Sequence, residues 1–242
     1  LQVLNKRSGL LFDTHDRDIL RLLAVPTTLA LSNARLAEEL MQRERLRREF
    51  QLARQMQKTL LPPRIRDCPV LGINIPAREI SGDFYDHFIL DDGRIAFCVG
   101  DVSGKGMDAA LMMVRASGLL RWTGKEGLPP ERWLARVNAE LCQTATEGRF
   151  VCALVGYFDP ETRLLEGSNA GLPPILLRGA DGNYQQFLAD GPPLAILDDY
   201  PYVSNRQLLG DGSAYIYSDG ATDVRGGGSE PIGIDGFQRL IE

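Results

Sequence analysis

The chain has 242 residues, 44% of them hydrophobic, which is enough for one large domain with its own core and an appended segment. A formal charge of −5 and a pI near 5.2 disfavour nucleic acid as the main ligand, because binding a polyanion rests on a basic surface that releases counterions. With only His15 and His87, and four cysteines outside any C-x-x-C pair, most histidine-based nucleophilic and zinc chemistry is excluded, and catalysis, if present, must rest on carboxylates, which usually hold hard cations such as Mg²⁺ or Mn²⁺.

LQVLNKRSG at the N-terminus reads as a strand ending in a turn, and THDRDILRLLAVPTTLALSNARLAEEL as a long helix that Thr14 or Asp16 could cap. One strand and one helix cannot enclose a core, so residues 1–35 read as the tail of a domain; the alternative is an extension packing on the main domain. The helix continues through MQRERLRREFQLARQMQKTLLP, with Leu29, Leu36, Leu40, Phe50, Ala53 and Leu60 near heptad spacing and Arg43 and Arg47 interrupting the seam. Residues 36–63 are therefore a helical linker, either pairing with its twin in a homodimer through residues 30–60 or lying solvated on its own domain. Pro62 and Pro63 stop the helix and mark the boundary to residues 64–242.

Beyond Val70, short apolar runs are split by DDG at 91–93, DPET at 159–162, ADGN at 180–183 and GDG at 210–212, which read as hairpin punctuation. Two helical stretches interrupt them, roughly Met107 to Trp122 and Pro130 to Thr146, the second opening with proline in its first turn. The fold class is α+β with largely antiparallel sheets. Cys68, Cys98, Cys142 and Cys152 read as buried thiols, His87 as a residue packed at the sheet surface, and Met107, Met112 and Met113 as core. No run of about 18 apolar residues and no signal-peptide pattern occurs, so the expected setting is cytoplasmic, without a membrane.

Asp83 in SGDFYD and Asp101 in GDVSGKG flank the Asp91–Asp92–Gly93 turn. If those three residues form the loop, paired numbers sum to 184 and Asp83 falls opposite Asp101 on the neighbouring strand, with about 5 Å between their Cβ atoms. Two like charges placed so repel, and a cation between them resolves the conflict. Gly82, Gly100, Gly104 and Gly106 permit the bulges and turns that bare backbone carbonyls near a metal. Asp219 in AYIYSDGATD supplies a third carboxylate at a strand end, and Asp223 is its nearest acidic neighbour. GDVSGKG is not a P-loop, since only three residues separate Gly100 from Gly104 and no Ser or Thr follows Lys105, which reads as a solvated lysine. Asp198 and Asp199 read as loop.

In order and spacing, SGDFYD, GDVSGKGMDAALMM, NAGLPP, DGPPLAIL and YSDGATD resemble the SpoIIE/RsbU-like branch of the PPM metal-dependent serine/threonine phosphatases, from about Gln55 to the end. LQVLNKRSG and LALSNARL are similar to the last strand and helix of a GAF sensory domain. The resemblance implies an αββα sandwich of two antiparallel sheets flanked by helices, with two Mn²⁺ or Mg²⁺ ions at one edge. It implies metal ligation by Asp83, Asp101, Asp219 and the backbone carbonyl of Val102, the three aspartates acting in catalysis through metal-bound water. The implied substrate is a phosphoserine or phosphothreonine on a STAS-domain anti-anti-sigma factor, with a GAF sensor upstream. Two departures stand out. Leu172 replaces the histidine of the family's NAGH, and the sequence stops at GFQRLIE, before the strand whose Asp-Asp-x-Thr-like motif supplies a further ligand in the family; as given, one metal would be short of a carboxylate, so that either the chain is truncated or the site is weak. The rival readings are a phosphatase-like binding module without turnover and a signalling fragment that works through linker dimerisation.

Overall fold

The computed structural model describes residue 6 and residues 11–65, 68–76, 81–104, 106–143, 148–187, 191–225 and 230–242. The predicted N-terminal strand, Lys6 apart, and Lys105 lie outside the described residues. The chain divides into two units, Leu1–Leu52 and Ala53–Glu242.

Helix α1 spans Thr14–Leu60. Its N-terminus is closed by a reciprocal box: the Asp16 N–H donates to Asp13 Oδ1 at 2.9 Å and the Asp13 N–H donates to Asp16 Oδ2 at 3.0 Å. The capping residue is thus Asp13, with Asp16 as its partner, rather than Thr14 or Asp16 alone. Pro26 lies inside the helix and withholds one backbone donor. The exposed surface around it leaves the freed carbonyl to water. Leu22, Val25, Leu29, Leu36 and Leu40 all face outward in the single chain. The helix ends one residue short of Pro62–Pro63, where the sequence places its stop.

In the second unit, β1 (Phe84–Ile89) and β2 (Ile95–Val102) form the expected hairpin, with Ile89 facing Ile95 and the Leu90 N–H donating to Arg94 O at 2.8 Å. Helices α2 (Met107–Gly124) and α3 (Pro130–Cys142) follow, then β3 (Val151–Asp159), β4 (Leu164–Ala170), β5 (Ile175–Arg178), β6 (Tyr184–Phe187), β7 (Asn205–Leu208), β8 (Ser213–Tyr215), a 3₁₀ turn (Asp219–Ala221) and α4 (Gly233–Ile241). α3 stops at Cys142, short of the predicted end; residues 144–146 lie outside the described residues. Among the described residues every strand pairs antiparallel with its neighbours, in a five-stranded sheet ordered β1-β2-β3-β4-β7 and a three-stranded sheet ordered β6-β5-β8, and a lone parallel bridge joins Ala170 to Gly191. The GDG turn is therefore not a hairpin. It carries the chain from β7 in one sheet to β8 in the other.

Two apolar layers hold this architecture together. Met113 and Leu120 of α2 and Trp133, Leu134, Val137 and Leu141 of α3 pack on Ala96, Cys98, Val151 and Val155, one face of the five-stranded sheet. On the opposite face Ile95, Phe97, Leu154 and Leu165 meet Ile175 and Leu177 of the smaller sheet. The IAFCVG run of β2 is apolar throughout because both of its faces are covered. The buried polar atoms of the largest core side chains are satisfied: Trp133 Nε1 donates to Leu120 O at 2.9 Å and the Tyr157 hydroxyl to Leu128 O at 2.8 Å.

Three expectations shift. All four cysteines are free thiols, but only Cys98 is fully buried. Met113 is core and Met112 packs at its edge, whereas Met107 is exposed. His87 lies in the interior rather than at the surface, parallel to the Tyr85 ring at 6.5 Å, and burial lowers its pKa so that the ring stays neutral. Among the described residues, no helix is long and apolar enough to cross a membrane.

Candidate metal centre

The β1–β2 ladder runs in constant register from Ile89↔Ile95 to Phe84↔Gly100, and one further step sets Asp83 opposite Asp101. Asp101 belongs to β2, and across the other edge of that strand it faces Cys152 of β3. Asp219 opens the 3₁₀ turn that follows β8, a few residues beyond the strand's last paired position, and the preceding Ser218 Oγ donates to Asp83 Oδ2 at 3.3 Å. The two arms of one hairpin and a turn far along the chain thus bring Asp83, Asp101 and Asp219 to one end of the sandwich.

The electrostatics of this corner are unfavourable without a cation. The Asp101 carboxyl is pushed up to about 7, first by burial, then by the charge of Asp83 and a hydrogen bond with it, then by the charge of Asp219. Burial and the charges of Asp101 and Asp219 likewise push the Cys152 thiol up to about 11, so it stands beside the carboxylates as a neutral group. As placed, no group of three His, Cys, Asp or Glu side chains among the described residues closes on a single ion. Asp101 instead holds its proton beside the Asp83 carboxylate up to about pH 7. Crowded carboxylates that hold a proton at neutral pH are the donor set a hard dication would fit, the cation taking the proton's place.

The backbone around Asp83 is tightly tied. Its N–H donates to Ser81 Oγ at 3.0 Å, and its carbonyl accepts from Asn74 Nδ2 at 2.8 Å. Val102 is buried, and its N–H donates to Gly82 O at 3.4 Å. Gly82 is required by close approach: a Cβ there would sit 2.9 Å from the Val102 carbonyl oxygen and 3.5 Å from Asp101 Oδ1. Gly82→Ala should therefore push the two aspartate-bearing segments apart at a cost of about 1–3 kcal/mol, read as a lowered urea midpoint with an unchanged slope. Gly104 and Gly106 take φ of +98° and +92° in the loop between Asp101 and α2, conformations that β-carbons disfavour.

Asp223 is exposed; its N–H donates to the Asp219 carbonyl at 2.9 Å, so its tie to the site is through the backbone. Leu172 packs in the layer between the sheets, and Asn169 closes its turn by accepting from the Leu172 N–H at 3.0 Å and donating to the Leu172 carbonyl at 3.1 Å. A polar role at position 172 has no place there. Asp198 and Asp199 are exposed loop residues, as expected. Sequence reasoning missed Ser81, Asn74, Ser218 and Cys152. Ser218 adjoins Asp219 in the motif itself, whereas Cys152 is placed by the β2–β3 register, which nothing in the sequence fixes.

The sequence matches the family described as Stage II sporulation protein E (SpoIIE) over residues 91–242. It is 28% identical over 187 residues to phosphoserine phosphatase RsbU of Bacillus subtilis (strain 168), covering 75% of this chain and 56% of that protein. Phosphoserine phosphatase RsbP of the same organism is 29% identical over 184 residues, covering 73% of this chain and 46% of that protein. The chain spans between about a third and just over half of the length of the curated relatives it matches. Among solved structures, the SiaA-PP2C domain of Pseudomonas aeruginosa superposes with a TM-score of 0.72 at 19% identity, covering 82% of each chain, and shares the fold of two antiparallel sheets flanked by helices.

Proposed function

Since the chain belongs to the SpoIIE family, we propose that it is a metal-dependent phosphatase that hydrolyses phosphoserine or phosphothreonine on a protein partner. The observation that carries this reading is the half-buried Asp101 carboxyl facing Asp83 across the hairpin, with the turn that holds Asp219 tied to Asp83 through Ser218. In this proposal Asp83, Asp101, Asp219 and the Val102 carbonyl hold two Mn²⁺ or Mg²⁺ ions. Once bound, the ions supply Lewis-acid activation of water and neutralise charge on the phosphoryl oxygens. Asp101 would release its proton to a bound cation, Ser218 orients Asp83 through Oδ2, and in the metal-free fold Cys152 is protonated and adds no further negative charge.

The partner in this reading is a phosphorylated STAS-domain protein, in keeping with similarity to two phosphoserine phosphatases. Residues 1–35 are the end of a GAF-like sensor, 36–63 a linker and 64–242 the phosphatase domain, with residues 30–60 pairing in a homodimer through the outward leucines of α1. A second reading is favoured by one specific feature: the three carboxylates do not close on an ion as placed, which suits a phosphatase-like module that binds a phosphoprotein without turning it over. Hydrolysis of p-nitrophenyl phosphate and of a phosphoserine STAS protein, with Mn²⁺ and with EDTA, separates the two. The enzyme releases phosphate only with the metal. Retention of the phosphorylated protein on the immobilised chain without phosphate release would establish the binding module.

A further inference from the structure

Resting on that reading of the site, we propose that Gln57, near the end of α1, is a positioning residue for the Asp83–Asp101 pair. Gln57 and the whole site belong to the second unit. The Gln57 side chain spends both of its amide groups on one residue: Nε2 donates to Ser81 O at 2.5 Å, and Oε1 accepts from the Ser81 N–H at 3.1 Å. Ser81 is buried but precedes the first ladder pair of β1, so its peptide groups have no strand neighbour. Unpaired, they would cost free energy in the interior. A primary amide offers a donor and an acceptor side by side and replaces the missing strand.

The consequence reaches the carboxylate by a short path. Ser81 Oγ accepts from the Asp83 N–H at 3.0 Å, and Gly82 between them lies against Val102 and Asp101. Fixing the Ser81 peptide therefore fixes where Asp83 starts and how closely it approaches Asp101. Helix formation has no need of glutamine here. Gln57 is partly buried, whereas Gln55 and Met56 beside it and Lys58 and Thr59 after it are exposed.

The test compares the 242-residue chain with its Gln57→Ala and Gln57→Glu variants, and with Gln55→Ala as a control. Glutamate keeps the acceptor but sets a carboxylate against the Ser81 carbonyl. Four readouts are taken: the Mn²⁺ dissociation constant by calorimetry, hydrogen exchange of the segment holding Ser81, the melting temperature, and kcat and KM for p-nitrophenyl phosphate. Loss of a group that orients a metal ligand weakens metal affinity by about 10–100-fold. Both Gln57 variants are expected to show that loss, faster exchange at Ser81 and a lower kcat with KM unmoved, together with a modest fall in melting temperature from the unpaired Ser81 peptide that leaves the chain folded at the assay temperature. Unchanged Mn²⁺ affinity in both variants, or losses that only track a fall in melting temperature, would overturn the positioning role while leaving the phosphatase reading standing. Failure of the unmodified chain to bind Mn²⁺ or to hydrolyse the ester would instead remove the reading of the site, and the role of Gln57 with it.

Discussion

Replacing Asp101 with asparagine is expected to abolish metal-dependent phosphate release while making the metal-free protein no less stable. A cation held by carboxylates contributes several kcal/mol of transition-state stabilisation, and about 4 kcal/mol corresponds to a fall in kcat on the order of a thousandfold. Stability moves the other way because Asp101 is a strained group in the metal-free fold. Its carboxyl is held near 7 against an ordinary 3.8, so the folded chain binds this proton more tightly than the unfolded chain does. That contribution is fully present below about pH 4 and is lost as pH rises through 7. Metal-free wild type should therefore melt at a lower temperature at pH 8 than at pH 5.5 by more than the asparagine variant does, since an amide does not titrate. Saturating Mn²⁺ reverses the order at pH 8: at a hundred times its dissociation constant a ligand adds about 2.7 kcal/mol to the protein that binds it and nothing to one that does not. Melting curves at both pH values, with and without Mn²⁺, check both signs. A variant that retains tenth-level activity or still gains stability from Mn²⁺ would count against Asp101 as a ligand.

How the site could be read from the sequence depends on how each contact is specified. Asp83 opposite Asp101 was legible because a short turn at residues 91–93 fixes the register of everything on either side of it, and the ladder keeps that register for six pairs. Asp219 was legible as a strand-end residue ahead of Gly220, although the strand itself is shorter than its apolar run suggested. Cys152 was not, because two helices separate β2 from β3 and no turn fixes their relative register. The same limit explains the GDG turn, where the residues that make a turn do not reveal that β7 pairs with β4 while β8 pairs with β5. Gln57 is the extreme case: its two bonds to Ser81 cross 24 positions of sequence, and a polar residue in a long helix reads as solvated until the segment packed against it is known.

The largest stability effect is expected from Arg121→Ala. Asp86 on β1 has a side chain only 1% exposed, and Arg121 on α2 donates to its Oδ1 at 2.6 Å and binds the second oxygen through the same nitrogen. The guanidinium also lies over the Phe88 ring, 5.2 Å from its centroid. Truncating arginine leaves a carboxylate enclosed without its counter-charge, which costs about 3–5 kcal/mol in a buried pair; because Arg121 is 43% exposed and water can follow it inward, the low end of about 3 kcal/mol applies. Asp86→Asn removes the charge rather than its partner and should cost less, about 1–2 kcal/mol. Combining Asp86→Leu with Arg121→Met should recover most of the loss, because neither member then needs the other. Urea unfolding followed by fluorescence reports on the second unit, since Trp122 and Trp133 both lie within it. Below its transition, Arg121→Ala should still bind Mn²⁺ as tightly as the unmodified chain, because the pair braces α2 against β1 at Asp86, three residues along the chain from Asp83, and neither member touches the site carboxylates. Loss of Mn²⁺ affinity in the folded variant would mean that the packing of α2, and not only the ties to Ser81, sets the position of the carboxylates.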